Sequence, residues 1–117
     1  MVRLSTHVLD TTLGAPASGV TIDLYRIEDG SRNHLARAVT DSDGRAGQIV
    51  PPNQDLQAGT YELAFQAGDY FRRLGVSLPA PPFLDEVVVR FGLADPNGKY
   101  HVPLLLSPFG YSTYRGS

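Results

Sequence analysis

Twelve glycines and nine prolines cut this chain into short segments rich in Val, Ile, Leu, Tyr and Phe. Both residues interrupt helices, so the spacing leaves no room for long ones and matches the punctuation of an all-β sandwich. Strands are expected at Arg3 to Asp10, Val20 to Ile27, Leu35 to Asp41, a short piece near Ala46 to Ile49, Thr60 to Gln66, Glu86 to Gly92, Lys99 to Leu106 and Gly110 to Arg115. Between them "DTTLGAPASG" is a Gly/Pro loop, "TDSDGR" is a turn, and "LADPNGK" carries Asn97-Gly98, a strong hairpin signal. The exception is "AGDYFRRLG", Ala67 to Gly75, which reads as a helix of two turns stopped by Gly75.

At 117 residues the chain is expected to form one domain, residues 1–117, with room for a real core but not for two. A net charge of -2 with interspersed signs offers no basic patch for tracking phosphates, which argues against nucleic acid as a partner. There is no cysteine, and hence no disulfide framework, thiolate metal site or cysteine nucleophile. No apolar run approaches the length of a membrane span, and the N-terminus lacks the apolar core of a signal peptide. A cytoplasmic protein with no membrane partner is the expectation.

The residues able to do chemistry are few. In the first strand Leu4, Thr6 and Val8 share one face, and Ser5, His7 and Leu9 the other. In the Lys99 strand Tyr100, Val102, Leu104 and Leu106 alternate with Lys99, His101, Pro103 and Leu105. Each histidine therefore lies opposite the denser aliphatic set of its strand. The histidine faces are still partly apolar, with Leu9, Pro103, Leu105 and Tyr114, which suggests a subunit interface or a lined cleft. Taken singly, a strand histidine is most simply a surface residue or one satisfied by a backbone carbonyl. Arg45 would be a solvated turn residue, and "YRGS" a frayed end. Two histidines without a carboxylate or cysteine beside them fall short of the three protein ligands usual at a catalytic zinc, so no metal and no cofactor is expected.

The combination says more than its parts. "LSTHVLDTTLGAPASGV" at Leu4 to Val20, "TDSDGR" at Thr40 to Arg45 and "YHVPLLLSPFGYSTYRGS" at Tyr100 to Ser117 together resemble the 5-hydroxyisourate hydrolases, the transthyretin-like enzymes of urate breakdown. The resemblance runs the whole chain in order. It implies a transthyretin-like β-sandwich of two four-stranded sheets with one short helix, assembled as a homotetramer, a dimer of dimers with active sites in the channel between dimers. It also makes the first strand and the His101 strand neighbours. The family's functional positions fall on His7, Arg45, His101, Tyr114, Arg115, Gly116 and Ser117, all present here. Lys99 departs from the histidine frequent among relatives, and Phe109 from a frequent tyrosine.

The implied reaction is hydrolytic opening of the six-membered ring of 5-hydroxyisourate to 2-oxo-4-hydroxy-4-carboxy-5-ureidoimidazoline. Such a step needs a base for water, a stabiliser for the oxyanion and a proton for the leaving nitrogen. The resemblance implies His101 as the base, His7 as the orienting group or the acid, and Arg45 as a fork of donors. Tyr114 and Ser117 would hold ring and water. The competing implication is a non-catalytic carrier of a flat aromatic ligand. Transthyretin, the carrier of this fold, lacks the two histidines and the closing Tyr-Arg-Gly-Ser.

Overall fold

The computed structural model of the chain describes residues 1–117. Its elements are β1 (Arg3–Asp10), β2 (Ala15–Pro16), β3 (Thr21–Glu28), β4 (Ser31–Val39), β5 (Arg45–Ala46), β6 (Gly59–Gln66), α1 (Ala67–Arg73), β7 (Glu86–Leu93), β8 (Lys99–His101), β9 (Leu104–Ser107) and β10 (Gly110–Thr113). One sheet has the order β4-β3-β6-β7 and is antiparallel throughout. The other gathers six segments around β1.

Those six segments occupy four strand positions. β8 and β9 both run parallel to β1 in a single register, Arg3 opposite Lys99 and Val8 opposite Leu104, so they are one strand with a break. The break falls at Val102-Pro103, because Pro103 has no N–H to give to the ladder. β5 and β2 share the other side of β1, opposite Thr6 to His7 and Leu9 to Asp10. β10 closes the sheet against β9. Two four-stranded layers result.

The core lies between the layers. Strand register sets Ile22, Phe65 and Val87 in one row and Leu24, Leu63 and Val89 in the next, facing Leu4, Val8, Tyr100, Leu104 and Leu106. Hydrophobic burial of such side chains is worth roughly 1.5–3 kcal/mol each. The far face of the four-stranded sheet is polar. There the carboxylates of Asp23 and Glu62, almost fully covered, pair with Arg37 and Arg90. Helix α1 follows β6 directly and ends at Leu74, with Gly75 behind it. It buries Tyr70 and Phe71, and the Tyr70 hydroxyl donates to Asp10 Oδ2 at 2.8 Å.

Several elements differ from the sequence reading. β4 begins at Ser31 rather than Leu35, because Asp29 (φ 50°) and Gly30 (φ 76°) make a two-residue hairpin turn inside what reads as a polar run. The short strand expected at Ala46 to Ile49 is Arg45–Ala46, one residue earlier. β10 stops at Thr113, and Tyr114 to Ser117 leave the ladder. The tail's backbone meets the sheet again at a bridge between Gly116 and His101.

Candidate active site

The outward face of β1 carries Arg3, Ser5, His7 and Leu9, while Leu4, Thr6, Val8 and Asp10 point into the core. Parallel pairing puts Ser5 directly opposite His101, and the antiparallel β5 puts Arg45 opposite His7. Three distant stretches of sequence thus deliver His7, Arg45 and His101 to neighbouring positions on one surface.

The turn before β5 is built tightly. Asp41 Oδ1 accepts the backbone N–H groups of Asp43 (2.9 Å) and Arg45 (3.0 Å). Gly44 sits at φ +75°, and any side chain there would collide with the Val8 carbonyl, so the turn can lie flat against β1 only with glycine. Arg45 is thereby held at the start of its strand. The same turn fixes His7, whose Nε2–H donates to the Asp43 carbonyl at 2.9 Å. None of the chain's ion pairs involves Arg45.

His101 is held differently. Its Nδ1 is hydrogen-bonded to the Ser5 hydroxyl at 2.8 Å, and its carbonyl accepts the Gly116 N–H at 2.8 Å. A Cβ on Gly116 would stand 2.6 Å from His101 Cδ2, so the tail can lie along the imidazole edge only because residue 116 has no side chain. Partial burial pushes the His101 imidazole below its ordinary value of 6.5, and the charges of Arg45 and then His7 push it the same way. All three influences favour the neutral form of the ring.

An open cleft of about 300 Å³ runs beside this group, lined by Ser5, Thr6, Arg45, Lys99, His101 and Ser117. It adjoins a second cleft, lined by Arg3, Lys99 and Tyr100, through their shared Ser5 and Lys99. The combined rim is cationic. No three His, Cys, Asp or Glu side chains converge in a way that could hold a metal ion.

The cleft brings together His101, Arg45 and Ser117, with Gly116 behind the imidazole and His7 beside Arg45. The side chains of Tyr114 and Arg115 lie elsewhere in the single chain. Both line a neighbouring apolar cleft with Val89, Phe91 and Val102. Arg115 donates to the Lys99 carbonyl at 3.0 Å, and its guanidinium stacks 4.3 Å from the Tyr100 ring centre. These two contacts hold the tail against β8. Sequence reading passed over Ser5 and the Asp43 carbonyl. Ser5's place on the His7 face was visible, but only the register of β1 against β8 shows which histidine it meets.

Comparison with known proteins gives the family. A curated "5-hydroxyisourate hydrolase 2" of Rhizobium meliloti (strain 1021) is 61% identical over 116 residues, 98% of this chain and 96% of that protein. The solved 5-hydroxyisourate hydrolase of Klebsiella pneumoniae superposes with a TM-score of 0.83 at 37% identity, covering each chain fully. A solved (S)-allantoin synthase superposes with a TM-score of 0.88 at 40% identity; 99% of this chain is covered, but the match spans only 44% of that longer one. Residues 4–116, from the first core position of β1 to the glycine behind His101, match the HIUase/Transthyretin family model, and the chain belongs to that family.

Proposed function

We propose that the chain hydrolyses 5-hydroxyisourate, using His101 as the base, Arg45 as the oxyanion partner and His7 as an orienting group or acid. The chain is a hydrolase, and the ring it opens is that of a urate oxidation product. The observation that carries the reading is the shared cleft of His101 and Arg45, closed by Gly116 and Ser117, in a chain 61% identical to a protein named for this reaction. A carrier needs no neutral histidine aimed at an open cleft.

The chemistry follows from the geometry. His101 Nε2 takes a proton as water attacks a ring carbonyl, and charge builds on that oxygen. Arg45 offers N–H groups in a planar fork, unspent on any carboxylate of the chain, which suits that developing oxyanion. The ring C–N bond then breaks, and the proton held on His101, or the Nδ1 proton of His7 in its imidazolium form, goes to the departing nitrogen. The product carries a new carboxylate, and the cationic rim of Lys99 and Arg3 suits an anion. His7 already donates Nε2–H to the Asp43 carbonyl, which leaves Nδ1 as its nitrogen for a substrate contact. The chain acts as a homotetramer, a dimer of dimers, in keeping with the exposed apolar side chains of Leu13, Phe109 and Tyr111.

The test is to generate 5-hydroxyisourate freshly from urate and to follow its ultraviolet decay with and without the protein, measuring molecular mass by light scattering on the same sample. Faster decay in proportion to protein is expected. Spontaneous rates at micromolar protein would defeat the reading.

Two further outcomes follow from the site. Arg45→Lys is expected to lose about 10- to 100-fold in kcat/KM, since an ammonium keeps the charge but not the planar pair of donors. Normal turnover in that variant would return Arg45 to the status of a turn residue. The pH profile carries a sign as well. His101 must be neutral to act and its pKa is lowered, so the acid limb of kcat/KM should have its midpoint below that of an unperturbed histidine. An acid limb above 6.5 would contradict the assignment.

A further inference from the structure

Ser5 stands opposite His101 across the β1–β8 pair, its hydroxyl 2.8 Å from Nδ1. Packing does not explain a serine here, since Ser5 lies on the outward face, only partly buried, and its side chain makes no other hydrogen bond. Its main chain is engaged with the same strand, for the Ser5 carbonyl accepts the Val102 N–H at 2.9 Å. Gly116 lies against the Cδ2 edge of the ring. With Nδ1 and Cδ2 both occupied, Nε2 is the nitrogen left for chemistry.

Resting on the reading of His101 as the base, we propose that Ser5 is a positioning residue that accepts the Nδ1–H of His101 and so keeps the lone pair on Nε2, facing the substrate cleft.

A hydroxyl beside a neutral imidazole can point either way, and the two choices have opposite consequences. If Ser5 donated, Nδ1 would hold the lone pair and Nε2 the proton, leaving nothing to accept a proton from water. That bond would also have to break whenever the ring became charged, because both nitrogens of imidazolium are donors. If Ser5 accepts, the same Nδ1–H···Oγ bond persists in the neutral and the charged ring. His101 can then take a proton at Nε2 and return it to the leaving nitrogen without turning. A carboxylate in this position would orient the ring equally well but would favour its protonated form. Serine orients without that bias.

The surroundings leave this task to Ser5. The charged and titratable groups on the elements around the ring are Arg3, His7 and the inward-pointing Asp10 on β1, Arg45 on β5, Lys99 and Tyr100 on β8, and Tyr114 and Arg115 in the tail. The turn before β5 adds Asp41, whose Oδ1 is engaged by backbone N–H groups, and Asp43. The Ser5 hydroxyl is the one side chain hydrogen-bonded to the imidazole.

The experiment uses the full-length protein, with nitrogen-15 NMR of the His101 ring above the acid limb alongside kinetics of Ser5→Ala, Ser5→Thr and Ser5→Asp. Wild type should show Nδ1 protonated and Nε2 bare, and Ser5→Ala a mixture of tautomers. In Ser5→Ala kcat should fall about 10- to 100-fold, the size of loss typical when the outer partner of a functional histidine is removed, with KM little changed. Ser5→Thr should recover most of that loss, and Ser5→Asp should move the acid limb upward. A wild-type ring protonated at Nε2, or an Ala variant with unchanged tautomers, overturns the inference about Ser5. A fully active His101→Ala protein would instead end the base reading, and with it the catalytic meaning of the contact.

Discussion

His101→Ala is expected to lower kcat/KM for 5-hydroxyisourate by about 100- to 10,000-fold, the range that a positioned general base supplies, while the sandwich and its assembly stay intact. The separation of function from fold rests on where the side chain lies. His101 points away from the core, whose neighbouring residues on that strand are Tyr100, Val102 and Leu104. Its strand is held by backbone bonds that alanine preserves, including Val102 N–H to the Ser5 carbonyl and Gly116 N–H to the His101 carbonyl. The structural cost is the contact with Ser5, about 1 kcal/mol for a partly exposed hydrogen bond. Activity within a few-fold of wild type, at unchanged molecular mass, would remove His101 from the mechanism.

Deleting Tyr114 to Ser117 should cost activity on the order of 100-fold, through misplacement of the base, yet lower the melting temperature by only a few degrees. All of β10 survives the deletion, and with it the pairing of Gly110 to Thr113 against Leu104 to Ser107. What goes is the Gly116 bridge behind His101, Ser117 in the cleft wall, and the docking of Arg115 on Lys99 and Tyr100. On this reading the tail acts first as a brace for the imidazole. Restoring it with Gly116→Ala should not restore activity, because that Cβ would meet the ring. Full turnover in the truncated protein, compared at equal mass with the intact chain, would sink the role given to the tail.

How much of this could be read beforehand divides along physical lines. Strand β1 could be read residue by residue, because one of its faces is buried and alternation of apolar with polar side chains reports that burial directly. The helix after β6 was equally plain, since Gly75 marks its end. The Asp29-Gly30 hairpin was obscured because β4 lies at a sheet edge and is mostly exposed, so no alternation marks its first residues. The break at Pro103 was available in principle, as proline cannot serve a ladder, but the aliphatic run around it dominated. Within the site, residue types were legible and partners were not. His7 meeting the Asp43 carbonyl, Ser5 meeting His101 and Gly116 lying on that ring all depend on register between segments far apart in sequence. Arg115 could be read as belonging to the closing motif, but its stacking on Tyr100 could not.

The parallel pairing of β1 with β8 and β9 bears on the order in which the molecule can come into being. The β3–β4 hairpin closes through two residues, and β6 and β7 join it from the middle of the chain. On its β8 and β9 side, β1 must wait for partners 96 residues away, as Ser5 waits for His101. Closing so long a loop is slow relative to a hairpin and leaves a strand edge open meanwhile. The edge of β1 that meets His101 is therefore expected to form late, and recovery of turnover during refolding would time the meeting of β1 with β8.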